Sequence, residues 1–95
     1  MNAFLLTASV AEISAQRTTP AGIPALDLQL EHESEQIEAG QSRKVKLKLR
    51  AVALGTTAET LSKVNIGKQA KFKGFLASAK NGKGSTLHIT DIEFI

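Results

Sequence analysis

The feature that most constrains the fold is a strict alternation of basic and aliphatic side chains over residues 44–51, within a candidate strand over residues 43–54. Every second side chain there is aliphatic, and the side chains between them are Lys44, Lys46, Lys48 and Arg50. Successive side chains of a β-strand point to opposite faces, so a strand separates the two sets completely. A helix would distribute the lysines around its axis and bury some of them. The stretch therefore predicts a strand with one buried face and one basic face.

Four further segments have the composition or the periodicity of strands. Leu26, Leu28 and Leu30 alternate with polar residues, which predicts a half-buried strand over residues 25–33. Large apolar and β-branched residues predict the other strands, over residues 4–13, 69–77 and 86–94. Period-two alternation then assigns these side chains to a common core: Leu26, Leu28, Leu30, Val45, Leu47, Leu49, Phe72 and Leu76.

Loops and one short helix connect the predicted strands. Prolines, glycines and polar residues predict loops over residues 18–24, 37–42 and 79–85. Thr56 and Glu59 have the spacing of a capping box, which predicts a short helix within residues 55–64. Five strands with a helix between the third and fourth is the order of the OB-fold, a Greek-key barrel whose bends suit a glycine such as Gly74. We therefore expect an all-β protein in which residues 1–95 form a single OB-fold domain.

Charge is distributed unevenly along the chain, although its net value is only +3. Residues 1–42 carry one basic and six acidic side chains, whereas residues 43–85 carry eleven basic side chains and one acidic side chain. A local excess of positive charge raises the affinity for polyanions and the rate at which they bind. The middle of the chain is therefore the candidate binding region.

Several classes of function lack the residues that they need. The chain has no cysteine, no basic leader before its first apolar residues and no apolar run long enough to span a bilayer. We expect a cytoplasmic protein without a membrane partner. His32 and His88 lack the neighbouring ligands of a metal site, and no nucleophile elbow or phosphate-binding glycine motif occurs. We therefore predict structural histidines, no metal or cofactor, and no enzymatic activity.

A set of short motifs occurs in an order that resembles one protein family. The motifs are residues 2–10, the Thr-Pro-Ala-Gly-Ile-Pro turn at 19–24, Leu-Glu-His at 30–32, Glu-Ala-Gly at 38–40 and Gly-Phe at 74–75. Together they resemble the primosomal replication protein N (PriB) family, which is related to bacterial single-strand DNA-binding protein. The resemblance implies a homodimeric OB-fold protein that binds single-stranded DNA. It also implies partners, namely the replication-restart helicase and other primosome proteins at stalled forks.

The chain departs from the family pattern at positions that bear on DNA binding. Gln41 and Lys46 stand where relatives have aromatic residues, and Glu12 and Glu33 stand where they have arginines. Base stacking on aromatic side chains contributes about 1–3 kcal/mol per base in such proteins. This chain has no tryptophan or tyrosine, and its phenylalanines mostly fall at predicted core positions: Phe4, Phe72, Phe75 and Phe94. We therefore expect DNA binding to depend mainly on charge.

The candidate DNA-binding residues are the basic side chains of the third and fourth predicted strands and of the loop over residues 79–85, together with Arg17. They are Arg17, Arg43, Lys44, Lys46, Lys48, Arg50, Lys71, Lys73, Lys80 and Lys83. Arg17 and Arg43 match basic positions of the family that the chain resembles. Like charges along one strand face repel, and acidic residues of the second predicted strand can relieve that repulsion.

Two other functions suit the same fold and charge. An RNA-binding OB-fold module would use the same basic surface, but the stacking aromatic residues of cold-shock-type RNA binders are missing. A protein–protein adaptor would dock the acidic segment of a partner on the basic strand face. Comparing the affinities for single-stranded DNA, duplex DNA and RNA distinguishes these alternatives from the DNA-binding hypothesis.

Overall fold

Six β-strands and one short helix make up the fold in the computed structural model, which describes all 95 residues. The elements are β1 (Phe4–Ile13), β2 (Arg17–Thr18), β3 (Pro24–Glu38), β4 (Gln41–Leu54), α1 (Thr56–Leu61), β5 (Gln69–Ser78) and β6 (Ser85–Phe94). The five long strands and the helix occur where the sequence predicts them. The two-residue β2 was not predicted; it pairs with the beginning of β3.

The five long strands close into a barrel because β1 pairs along both of its edges. Its first part, from Phe4 to Ser9, pairs antiparallel with β5, and its second part, from Ser9 to Ile13, pairs antiparallel with β3. A β-bulge between Val10 and Glu12 bends the second part. The remaining neighbours are β5–β6, β6–β4 and β4–β3, with β4 and β6 parallel. The predicted OB-fold barrel is therefore confirmed.

The core lies inside this barrel and contains most of the predicted residues. Phe72, Leu26 and Leu30 are fully buried, and Leu28 is nearly so. Leu49 and Leu76 are partly buried and pack against these residues. Helix α1 adds Ala58 and Leu61 to the same cluster, which closes one end of the barrel.

Two predicted core residues, Val45 and Leu47, lie outside the barrel. The pairing of β1 with β3 ends at Glu31, and the pairing of β6 with β4 begins only at Ala51. Residues 32–47 therefore project from the barrel as a two-stranded hairpin, which we call the arm. Val45 and Leu47 are on the face that the alternation predicts, but no third strand covers them, and Leu47 is 38% exposed.

The arm turns at Ala39 and Gly40, the centre of the predicted loop over residues 37–42. Glu38 pairs with Gln41, so the hairpin loop has only two residues. Both have positive φ angles, 52° and 76°, which is the geometry of the tight turns that match the twist of paired strands. The predicted strand over residues 25–33 is therefore longer than expected, and it runs to Glu38.

The start of helix α1 differs from the predicted capping box. Thr56 is the first helical residue. The capping position before it is Gly55, which has no side chain to accept a hydrogen bond. The Gly55 amide donates to the carbonyl oxygen of Pro24 at 2.8 Å, and Gly55 has a φ of 70° that favours glycine. This backbone contact ties the residue after β4 to the start of β3, and the helix begins at Thr56 without a side-chain cap. With six residues in α1, no helix is long and apolar enough to cross a membrane.

Truncating a barrel residue should therefore cost far more stability than truncating an arm residue. Phe72→Ala should lower the free energy of unfolding by about 3–5 kcal/mol, because the cavity left by a fully buried ring cannot be filled. Leu47→Ala should cost about 1 kcal/mol or less, since its side chain is already exposed to water. Urea unfolding of both variants measures the difference. Equal losses would mean that the arm packs against the core.

Candidate nucleic-acid interface

The basic face of β4, formed by Lys44, Lys46, Lys48 and Arg50, lies on the outside of the sheet. All four side chains are exposed. The register with β3 places acidic residues directly across from the three lysines: Glu35 opposite Lys44, Glu33 opposite Lys46 and Glu31 opposite Lys48. Arg50 stands opposite a neutral residue, Gln29. The sequence prediction that the second long strand offsets the charge of the third is confirmed for the arm.

Glu33 is the centre of this neutralisation. Its Oε1 lies 3.7 Å from Nζ of Lys44 and 3.9 Å from Nζ of Lys46. Near the turn, Arg43 is paired with Glu38. These pairs are exposed to solvent, so each contributes little to stability. They do lower the net positive charge that the arm presents to a polyanion.

A groove separates the base of the arm from β1, and we call it the arm groove. Lys46 and Lys48 line it together with Glu31, Glu33 and the polar side chains of Thr7, Ser9 and Ser34. His32 also lines the arm groove, and its ring connects β3 to β1. Nδ1 lies 2.6 Å from the carbonyl oxygen of Thr7, and Nε2 lies 2.8 Å from Oγ of Ser34. Because a carbonyl only accepts, Nδ1 carries the proton. His32 thus has the structural role that the sequence predicts.

A second groove, which we call the barrel groove, crosses the outer faces of β3 and β4 below the β5–β6 loop. It brings together three predicted DNA-binding residues from separate parts of the chain: Arg17, Arg50 and Lys80. Two carboxylates, Glu12 and Asp27, also line it. Arg50 and Lys80 have no carboxylate partner within 4 Å, so their charges are available to a ligand.

Arg17 and Asp27 form a bidentate ion pair at the edge of the barrel groove. Nε of Arg17 donates to Oδ2 of Asp27 at 2.9 Å, and an Nη donates to Oδ1 at 3.1 Å. These hydrogen bonds lower the pKa of Asp27 below its ordinary value of 3.8; partial burial opposes this, and the charges of Arg17 and Lys80 lower it further. The same contact raises the pKa of Arg17. Asp27 therefore neutralises Arg17 at physiological pH.

The remaining predicted DNA-binding residues lie elsewhere on the surface. Lys71 and Lys73 point outward from β5, where Glu93 and Asp91 stand across from them on β6. Lys83 is exposed in the β5–β6 loop and does not line either groove. The ten basic residues are thus divided between the arm, the barrel groove, the loop and β5.

Sequence reasoning missed three aromatic side chains that the structure leaves accessible at the surface. His88 lines the barrel groove. Phe75 and Phe94 are 39% and 43% exposed, so the prediction that the phenylalanines mostly belong to the core was wrong for these two. The positions of Phe75 and His88 within alternating strands carried a signal, because Phe72 and Leu87 already take the inward parity on β5 and β6.

Comparison with known proteins agrees with this fold. A family model described as another single-strand binding protein family matches residues 2–91. The replication restart protein PriB of Bordetella pertussis is 50% identical over 80 residues, which cover 84% of this chain and 75% of that protein. The chain belongs to the PriB family. PriB from Ralstonia solanacearum, a solved structure, is 30% identical, with a TM-score of 0.89 over 99% of this chain and 97% of that one.

The PriB fold extends to more distant proteins as well. A Plasmodium falciparum single-strand DNA-binding protein, solved in complex with single-stranded DNA, matches all of this chain and 95% of its own with a TM-score of 0.79. Its sequence identity is only 13%, so the likeness concerns the fold alone. The family membership predicted from the short sequence motifs is confirmed.

The lowered pKa of Asp27 predicts an acid-dependent loss of stability. A carboxylate whose pKa is lowered by folding stabilises the protein above its unfolded pKa of 3.8, and that contribution disappears as the pH falls through the lowered value. Asp27→Asn should therefore lower the melting temperature at pH 7, and the difference from the parent should shrink below pH 3.8. Circular dichroism at several pH values measures it. The control is Glu93→Gln, which removes a carboxylate without an ion pair; an identical pH dependence in both variants would contradict the prediction.

Proposed function

We propose that this PriB-family chain is a non-enzymatic accessory protein of the replication-restart primosome that binds single-stranded DNA mainly through basic residues. It would act in the cytoplasm as a single OB-fold domain and would assist the restart helicase. The names of its relatives support the restart role. The family model, described as a single-strand binding family, supports the choice of ligand.

The observation that carries the proposal is the barrel groove with two unpaired cations. Arg50 and Lys80 come from β4 and from the β5–β6 loop, and both reach the same groove without a carboxylate partner. Such an arrangement suits the phosphates of a flexible strand, since positively charged grooves that follow the backbone are the common feature of OB-fold single-strand binders. When such cations neutralise phosphates, the nucleic acid releases its condensed counterions, which favours binding at low salt.

The arm contributes a second, weaker set of cations to the same ligand. Lys46 and Lys48 line the arm groove, and Lys46 shares Glu33 with Lys44. A phosphate that binds these lysines must compete with the carboxylate. Glu33 and Glu12 therefore oppose binding, one in each groove.

The salt dependence of binding tests this division. The double variant Arg50→Ala/Lys80→Ala should bind every homopolymer single strand more weakly and give a slope of log affinity against log salt that is shallower by about one to two units. Lys46→Ala/Lys48→Ala should reduce the slope by less, because Glu33 already neutralises part of that charge. Fluorescence anisotropy at several salt concentrations provides both slopes.

The control removes the same charge outside both grooves, in Lys63→Ala/Lys68→Ala. If this control changes the slope as much as the Arg50/Lys80 variant does, the grooves are not the binding site. Duplex DNA and RNA of equal length serve as competing ligands. Tighter binding to RNA would favour the RNA-binding module, and the absence of any nucleic-acid affinity would favour the protein–protein adaptor.

We further propose that the protein is a homodimer, as the family resemblance implies. The monomer supports this expectation because only 15 of its 95 residues are buried, while ten large apolar side chains are exposed. A second copy would bury part of that surface. Light scattering at micromolar concentration should give twice the 10.1 kDa mass of one chain. A mass near 10.1 kDa would contradict the proposal.

A further inference from the structure

Two aromatic side chains stack against each other on the outside of the barrel. The rings of Phe75 and His88 are 4.9 Å apart between centroids and inclined by only 9°. Phe75 is 39% exposed and His88 is half-buried. The sequence predicted neither ring as part of a binding surface, and the charge-based site described above does not use Phe75.

The register between β5 and β6 makes both rings point outward. Phe75 pairs with His88, and the next pair, Leu76 with Leu87, points into the core. Gly74 sets this register at an irregularity in the pairing: a Cβ atom at this position would lie 1.8 Å from the carbonyl oxygen of His88. The close approach that only glycine permits therefore fixes Phe75 opposite His88.

The stacked pair continues the floor of the barrel groove. In the pairing registers, Asp27 of β3 stands beside Val52 of β4, Val52 beside His88 of β6, and His88 beside Phe75 of β5. These four outward-pointing residues form a row across four neighbouring strands. Three steps of about 4.8 Å between strands make the row about 14 Å long. His88 itself lines the groove that contains Arg50 and Lys80.

Basic side chains stand on both sides of the pair. Arg50 and Lys80 lie on the groove side. Lys73 lies on the other side, on the same outer face of β5 and two residues before Phe75, a separation of about 7 Å along the strand. The pair thus connects the barrel groove with the basic residues of β5, which otherwise form a separate group.

We propose that Phe75 and His88 form a base-stacking platform for single-stranded DNA, with cations of the barrel groove and Lys73 binding the phosphates on either side. This inference rests on the proposed DNA-binding function and adds to it a contact that depends on the base. Flat aromatic faces accept any base, because every base has a π-face. The platform replaces aromatic residues that are missing at Gln41 and Lys46 on β4.

An abasic oligonucleotide separates stacking from phosphate binding. The parent protein should bind an oligomer of thymidine more tightly than an abasic deoxyribose-phosphate strand of equal length. Phe75→Leu should weaken binding to the thymidine oligomer about 5- to 150-fold, the equivalent of losing the stacking on one base. It should leave both the affinity for the abasic strand and the salt slope unchanged, since stacking releases no counterions from the protein.

Two further variants control for folding and for position. Phe75→Tyr keeps an aromatic face and should bind like the parent. Phe94→Leu removes an equally exposed ring that contacts Lys68 instead, at the far end of β6, and should also bind like the parent. Melting temperatures confirm that each variant is folded. His88→Ala tests the second ring in the same way if Phe75→Leu does not fold.

The outcomes distinguish this inference from the function on which it rests. If the parent binds neither oligonucleotide, the proposed function is wrong and the platform with it. If the parent binds both but folded Phe75→Leu binds the thymidine oligomer as tightly as the parent, the DNA-binding function stands and the platform is wrong. The same conclusion follows if Phe94→Leu causes an equal loss.

Discussion

The rest of the structure depends on one strand, β1, pairing along both of its edges. Its first half completes the sheet with β5 and its second half completes it with β3, with a bulge between Val10 and Glu12 bending the second half. Closure removes the open edges of the barrel and gives every long strand an inward face and an outward face. The pairing of β1 with β3 ends at Glu31. The hairpin beyond that residue therefore has no third strand beside it and forms the arm.

Closure determines which charges are neutralised and which remain available. On the arm, β3 and β4 have only each other, and their register places Lys44 opposite Glu35 and Lys46 opposite Glu33. Over the barrel, the same two strands lie beside β6 and the β5–β6 loop, so Arg50 and Lys80 share a groove without a carboxylate partner. The most lysine-rich segment of the chain therefore does not present all of its positive charge to a ligand, since Arg43, Lys44 and Lys46 have carboxylate partners. The barrel groove brings two unpaired cations together from separate segments.

The sequence predicted the barrel because period-two alternation is a local property that survives folding. Leu26, Leu28, Leu30 and Phe72 are buried as their parity requires. Alternation defines a face but not what covers it, which is why the predicted core includes Val45 and Leu47 although no third strand covers them and Leu47 is 38% exposed. Thr56 is not the helix cap because it is itself the first helical residue and Gly55 occupies the capping position. The barrel groove and the Phe75–His88 stack also require strand registers, which residue spacing does not contain.

The most direct test of this account is to map the DNA-binding surface by NMR while a short thymidine oligomer is added. The backbone amide resonances of Arg50, Val52, Lys80 and His88 should shift together, because these residues line one groove. Smaller changes should occur in the arm groove at Lys46 and Lys48. Resonances near Lys63 and Lys68 should stay in place. Shifts confined to that region, with the barrel groove unchanged, would contradict the account.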